Sequence, residues 1–201
     1  MNAGHGWQKS ARSMVTGSVR DCMFIFMATS GGFEGMAQLE PWLRGILPDL
    51  HPVTGHLIRA SQQIREDLTQ ALAPLQPDEI GATPQGMTSA GFHARHLAGS
   101  TQRLCTYLEG SQLTAEQVAT IPAESTGSET AAELLRLVNQ AFDRYENLVC
   151  ALTPEHFGDI REIGRQRIQT TAISLAIHIA EHGQRHTGQV ISAAKLAHAG
   201  T

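Results

Sequence analysis

The chain has 201 residues, which is the size of one ordinary globular domain. Hydrophobic residues make up 41% of it and the formal net charge is −4, a combination that excludes wholesale disorder. Binding to nucleic acid needs clustered Lys and Arg, and a chain with two Lys and an acidic balance argues against such a partner.

Residues 1–35 differ in character from the rest of the chain. They are rich in Gly and Ser and lack helical periodicity, and a new pattern opens at Met36. The apolar run 22–28 follows basic residues as in a secretory signal, but Asp21 precedes it directly and no cleavage site closes it neatly. The run is also too short to span a membrane. We therefore expect a poorly ordered extension over 1–35 and one domain over 36–201.

Four long helices are predicted from the spacing of apolar residues after the extension. The first helix lies between Pro48 and Pro74 and is followed by a loop over 76–86, and the second runs from Thr88 or Ser89 to Gly110. A connection over 111–127 contains a short helical piece at 114–119. The third helix is capped by Thr126 and Glu129 and closed by Pro154, and the fourth covers 169–197. No alternating β-branched run bounded by turns occurs, so no strand is predicted. This pattern predicts an all-α fold, an antiparallel four-helix bundle.

Histidines fall on the predicted inward faces of two of these helices. His93 and His96 lie on the second helix, and His178, His182 and His186 lie at four-residue steps on the fourth. Residues four apart share a helix face, so two neighbouring imidazoles can bind one metal ion. Three in a row cannot, because the outer two are about 12 Å apart along the axis. A third ligand must then come from the second helix, and three ligands with an open position are typical of a catalytic metal site.

Other interpretations of the same residues are weaker. His178-Ile-Ala-Glu-His182 matches the H-x-x-E-H motif of inverted zinc proteases, but no acidic residue follows Glu181 to supply the downstream carboxylate ligand. A di-iron carboxylate bundle needs Glu-x-x-His motifs on two helices, and neither inward face offers one. Histidines that serve only as hydrogen-bonded core residues are the remaining structural alternative.

Two segments of the chain also resemble a known family. Gly91-Phe-His-Ala-Arg-His-Leu-Ala-Gly-Ser100, followed by Tyr107-Leu-Glu-Gly110, is similar to the second-helix signature of the DinB/YfiT-like family. His178-Ile-Ala-Glu-His-Gly-Gln-Arg-His-Thr-Gly-Gln189 resembles the fourth helix of that family, where an H-x-x-x-H pair precedes Gly-Gln. The resemblance covers roughly residues 38–198 and implies a four-helix bundle of the DinB type.

This resemblance implies a metal site and an activity. By position, the three ligands of a divalent metal ion would be His96, His182 and His186. The family is described as metal-dependent hydrolases, and its wider superfamily includes S-transferases that use a low-molecular-weight thiol such as bacillithiol or mycothiol. The implied function is an enzyme in which metal-activated water or thiol attacks a small electrophilic molecule. The alternative is a non-catalytic bundle that binds metal or a small ligand in a stress response.

Further expectations concern the residues around the metal ion and the partners of the protein. Three imidazoles suit Zn, Ni, Fe or Cu alike, and no catalytic residue is identified. Candidates for the second shell or the cavity are His93, His178, Gln189 and His56. Cys105 and Cys150 are interpreted as packing residues, and Cys usage indicates a cytoplasmic location. We expect a small-molecule substrate, no nucleic-acid or membrane partner, and a homodimer as the candidate assembly.

Overall fold

The structure is a computed structural model that describes residues 39–199. The predicted extension over 1–35 lies outside the described residues. The elements are, in chain order, α1 (Pro52–Leu72), α2 (Pro77–Gly81), α3 (Ala90–Leu108), α4 (Ala115–Ala119), α5 (Ala131–Ala151), β1 (Ile160–Ile163), β2 (Ile168–Thr171) and α6 (Ala172–Ala199). Within this part of the chain, no helix is long and apolar enough to cross a bilayer.

The first two long helices begin where the sequence supplies a cap. The His51 ring accepts an N–H of the first turn of α1, and the Ser89 hydroxyl accepts the N–H of Phe92 at the start of α3. These side chains satisfy backbone donors that have no partner inside the helix. Gly110, with φ of +84°, follows the end of α3 in the left-handed conformation that favours glycine. The predicted first and second helices are confirmed with these boundaries.

The long helices form a ring around one core in the order α1, α5, α3, α6. The four-helix bundle predicted from the sequence is confirmed. Its antiparallel neighbours are α1 with α5 and α3 with α6. The other two neighbouring pairs, α1 with α6 and α3 with α5, run parallel. Of these, α3 and α5 follow one another among the long helices, and they can run parallel because the connection over 109–130 is long enough for the chain to return along the bundle before α5 begins.

The core places α6 close to its neighbours. The Tyr145 side chain is fully buried, and its hydroxyl donates to the carbonyl oxygen of Ala176 at 2.9 Å. A Cβ atom added at Gly183 would lie 2.5 Å from Ile64 Cδ1 and 3.2 Å from Cζ of Phe142. Glycine at this position therefore lets the side chains of Ile64 on α1 and Phe142 on α5 pack directly against the α6 backbone.

Two helix predictions need correction. The segment 76–86, predicted as a loop, contains α2, whose capping box uses Gln76 and Glu79. The α5 helix begins after Thr130, and its capping box is formed by Thr130 and Glu133 rather than by Thr126 and Glu129. Residues 126–129 and 130–133 both have the T-x-x-E spacing of a capping box, so the spacing alone could not choose between the two helix starts.

The absence of strands was also predicted wrongly. β1 and β2 form an antiparallel hairpin in which Ile160 is opposite Thr171 and Ile163 is opposite Ile168. A strand of four residues is too short to display an alternating pattern, and five of the eight strand residues are charged or polar. Gly164, with φ of +69°, lies in the connecting turn.

Candidate metal centre

Three histidines from two antiparallel helices meet at the border of the core. His96 comes from α3, and His182 and His186 come from α6. Each offers one ring nitrogen, and these three atoms lie within 4.8 Å of one another. The ring centroids of His182 and His186 are 4.5 Å apart, and that of His96 is 4.6 Å from His186. The structure thus brings together the three residues that the family resemblance implied, which we call the triad.

Local helix geometry explains this convergence. His182 and His186 are separated by one turn, so their rings leave α6 on nearly the same side. Gly183 and Val190, which lie on the core side of α6, are buried, whereas the two histidines are half-buried. The antiparallel α3 presents His96 at the same height. The triad is therefore built on rigid helices and stays open to solvent on one side, with 27% of the His96 side chain exposed.

Two of the three rings are held by a hydrogen bond. His96 Nδ1 lies 2.8 Å from Glu124 Oε2, and His186 Nδ1 lies 3.2 Å from His93 Nδ1. The third ring differs: His182 Nδ1 is buried and has no hydrogen-bond partner among residues 39–199. A buried polar nitrogen without a partner is costly, so the site fits a group supplied from outside the chain.

Burial also sets the protonation state of the triad. Burial is the largest cause, and together with the neighbouring charges, chiefly those of His178 and His96, it lowers the pKa of His182 to about 4. Burial and the neighbouring charges, with His96 the largest of these, likewise lower the pKa of His186 to about 4. Both rings are consequently neutral at pH 7 and keep a lone pair. Since only the neutral imidazole binds a metal ion, the donor set of the triad fits a divalent transition metal.

The structure separates the remaining histidine candidates. His93 is buried beside His186, in the position predicted for a residue that supports a ligand. His178 is exposed, and its ring centroid is 6.0 Å from that of His182, so its predicted inward position is wrong. The reason is rotation: each four-residue step turns about 40° further around an α-helix, and two steps carry His178 away from the face of His186. His178 therefore lies on the rim of the site.

The other two candidates lie apart from the triad contacts. His56 is exposed and lines a groove of about 620 Å³ with Trp42 and Ile46. No triad residue lines that groove, so the structure gives no support for His56 in the metal cavity. Gln189 is half-buried, and its Oε1 atom is buried without a hydrogen-bond partner among the described residues. Its position one turn beyond His186 on α6 keeps it a candidate for contact with a bound group.

One acidic residue of the site was not predicted from the sequence. Glu124 lies in a 3-10 turn, Ile121–Ser125, within the connection between α3 and α5, and it is 9% exposed. One carboxylate oxygen faces His96 and the other accepts a hydrogen bond from Arg103 at 2.5 Å. No periodic pattern marks this residue, because the turn is irregular and its contacts with α3 span more than 20 positions in sequence.

Comparison with known proteins assigns the chain to a family. The family model described as the DinB superfamily matches residues 60–190, more than half of the chain. This protein belongs to the DinB superfamily. The matched region includes all three triad residues of this DinB member, which agrees with the resemblance drawn from its sequence. No curated protein matches the chain.

A solved structure gives independent support for the fold of this DinB superfamily member. It is described as "YfiT from Bacillus subtilis is a probable metal-dependent hydrolase with an unusual four-helix bundle topology". The likeness has a TM-score of 0.55 and covers 83% of this chain and 94% of YfiT, with 14% sequence identity. At this identity the likeness concerns the fold.

Proposed function

We propose that this protein is a metal-dependent enzyme whose metal ion is held by His96, His182 and His186. One observation carries the proposal: three imidazole nitrogens from two helices converge within 4.8 Å on the open border of the core. The Nδ1 atom of His182, buried and without a hydrogen-bond partner in the described part of the chain, supports it, as do membership of the DinB superfamily and the fold likeness to a probable metal-dependent hydrolase.

The residues of the chain prepare this site in defined ways. A divalent ion held by three imidazoles lowers the pKa of water or of a thiol and polarises the group that is attacked. Glu124 orients His96, and His93 orients His186. The low pKa values of His182 and His186 keep each ring neutral at pH 7, so that one nitrogen of each ring has a free lone pair. We propose a small electrophilic substrate, attacked either by water or by a low-molecular-weight thiol.

A non-catalytic metal-binding bundle is the second candidate, and one observation favours it. A hydrolase usually needs a general base within reach of the attacking group. The carboxylate that contacts the triad, Glu124, is engaged through both oxygens, one with His96 and the other with Arg103. It is therefore not free to take up a proton in the way that a general base does. In the thiol reaction the metal can lower the pKa of the thiol without a separate base.

The test begins with metal content. The full chain, purified without a His tag, is analysed for bound transition metals and reconstituted with Zn²⁺, Ni²⁺ or Fe²⁺. The loaded protein is then assayed with p-nitrophenyl acetate alone, and with 1-chloro-2,4-dinitrobenzene and a small thiol. We expect about one metal ion per chain and turnover that is lost in His186→Ala. Stoichiometric metal without turnover of either substrate would favour the binding protein, and absence of metal binding would overturn both candidates.

A further inference from the structure

The carboxylate of Glu124 is held in place more firmly than a solvent-facing glutamate could be. The turn that carries it packs against α3, where Arg95 Nε donates to the Glu124 main-chain oxygen at 2.9 Å. Arg103, two turns along α3 from His96, donates to Oε1 at 2.5 Å. The same Arg95 pairs with Glu129 at 3.1 Å, which fastens the following segment. Main chain and side chain of Glu124 are thus fixed by two arginines of one helix.

Gly99 provides the space in which this carboxylate lies. It is on α3 between His96 and Arg103, and a Cβ atom added there would collide with Glu124 Oε1 and would lie 3.0 Å from Arg103 Nη1. Any larger residue at this position would therefore push the carboxylate from its contact with His96. Three positions of α3, His96, Gly99 and Arg103, consequently act on the Glu124 side chain, and Arg95 holds its main chain.

The donor in the hydrogen bond between His96 and Glu124 can be assigned from the chemistry of the two groups. Glu124 forms an ion pair with Arg103, and a carboxylate in such a pair can only accept hydrogen bonds. A His96 ring that binds a metal ion carries a single proton, which must then be on Nδ1, where it is donated to Glu124 Oε2. The other nitrogen, Nε2, keeps its lone pair for a ligand. Such carboxylate–histidine pairs fix the tautomer and orientation of metal-binding imidazoles and raise their basicity.

We propose that Glu124, held by Arg103 and accommodated by Gly99, is the positioning residue of the metal centre, which keeps His96 in the tautomer that binds the metal ion. This inference rests on the metal centre proposed above. It assigns to the connection between α3 and α5 a part in metal binding, although this segment supplies no ligand of its own.

The test measures Zn²⁺ affinity of the full chain by competition with a chromogenic chelator. We expect Glu124→Ala to weaken Zn²⁺ binding by about 10- to 100-fold, the range typical for loss of such a partner. The Zn²⁺ affinity of Glu124→Gln should lie between those of wild type and Glu124→Ala. Its amide oxygen can still accept a hydrogen bond from His96, but its NH₂ group then faces Arg103. The matched control is Glu129→Gln, which removes a neighbouring carboxylate that pairs with Arg95 and should leave affinity within about twofold of wild type.

A second variant displaces the carboxylate without removing it. Gly99→Ala keeps Glu124 and Arg103 and improves the helix propensity of α3. If Glu124 had no part in metal binding, the Zn²⁺ affinity of the folded variant would equal that of wild type. The positioning role predicts an affinity several-fold below wild type.

The tautomer of His96 gives a readout that does not need the metal. In metal-free wild type, ¹⁵N chemical shifts of the His96 ring should show the proton on Nδ1, and in Glu124→Ala this preference should be lost. Glu124→Ala with wild-type Zn²⁺ affinity and an unchanged His96 tautomer would overturn the inference. If wild type failed to bind Zn²⁺, the proposed metal centre would fall, and the tautomer shift alone would decide whether Glu124 positions the ring.

Discussion

Single side chains of this site differ in role because they differ in burial and rotation. His96, His182 and His186 point into one space, whereas His178, on the same predicted stripe, is exposed. Only the three that converge can share an ion, since the bonds from zinc to imidazole are about 2.0–2.1 Å long. The position of each residue around its helix, more than its identity, therefore determines whether it can be a ligand.

Metal content of alanine variants tests this distinction. We expect His96→Ala, His182→Ala and His186→Ala each to abolish stoichiometric binding of Zn²⁺, because two imidazoles leave the ion with too few ligands. His178→Ala is the matched control on the same helix and should cost at most about tenfold in affinity. The measurement is metal per chain in tag-free protein after dialysis. Full retention of metal in His96→Ala would disprove a site shared between α3 and α6.

The role of a site residue can be predicted from the sequence when its contacts are close in sequence, and less well when they are distant. The pairing of His182 with His186 follows from helix geometry alone, and their convergence with a histidine of α3 follows from the inward faces of two helices. Choosing His96 over His93 needed the family resemblance. The contact between His96 and Glu124 spans 28 positions and ends in an irregular turn, so no local pattern could predict it.

Among the elements, the long helices were predicted most accurately, because their apolar pattern repeats over several turns. The bounds of α1 and α3 follow from apolar spacing and caps, whereas the five-residue α2 and the hairpin of β1 and β2 are too short for a period to be counted. The direction of α5 relative to α3 also depends on packing across the whole bundle. These features are fixed by tertiary contacts that the local sequence does not display.

The corrected start of α5 can be tested by removing its cap. The Thr130 hydroxyl accepts the N–H of Glu133, and the Glu133 carboxylate accepts the N–H of Thr130 at 2.8 Å. Thr130→Ala should lower the free energy of unfolding by about 1 kcal/mol, the usual cost of losing an N-cap side chain. Thr126→Ala, at the exposed position predicted earlier as the cap, should change it little. Urea denaturation monitored by circular dichroism compares them, and equal effects would contradict the assigned helix start.

The tight packing around Gly183 on α6 can also be tested by substitution. Gly183→Ala places a methyl group against Ile64 and Phe142 and should destabilise the protein by about 1–3 kcal/mol through overpacking. Gly188→Ala on the same helix meets no atom within 4 Å and should be neutral or stabilising, because alanine is the better helix former. Melting temperatures of the two variants decide the point. A Gly183→Ala protein as stable as Gly188→Ala would show that the core yields at this position.

For the whole molecule, the triad couples stability to pH and to metal. The histidine pKa in an unfolded chain is about 6.5, whereas those of the folded His182 and His186 are about 4. Between these values the unfolded chain binds more protons than the folded chain, so stability decreases as the pH falls. The contribution of these two rings is therefore complete above about pH 6.5 and is lost progressively toward pH 4. A bound metal ion adds stability by mass action, and protons compete with it over the same range.

Thermal melts of metal-free and Zn²⁺-loaded protein from pH 7.5 to 4.5 test this coupling. We expect Zn²⁺ to raise the melting temperature at pH 7.5 and the gain to shrink as the pH is lowered. In the metal-free state, the double variant His182→Gln/His186→Gln should show a shallower decline below pH 6.5 than wild type, because it lacks the two rings whose pKa values differ most between the folded and unfolded states. All other titratable groups are present in both proteins, so the difference between the two curves reports the contribution of His182 and His186. Parallel curves would show that these rings do not carry the acid sensitivity, and identical melting with and without Zn²⁺ at pH 7.5 would show that the triad does not bind zinc.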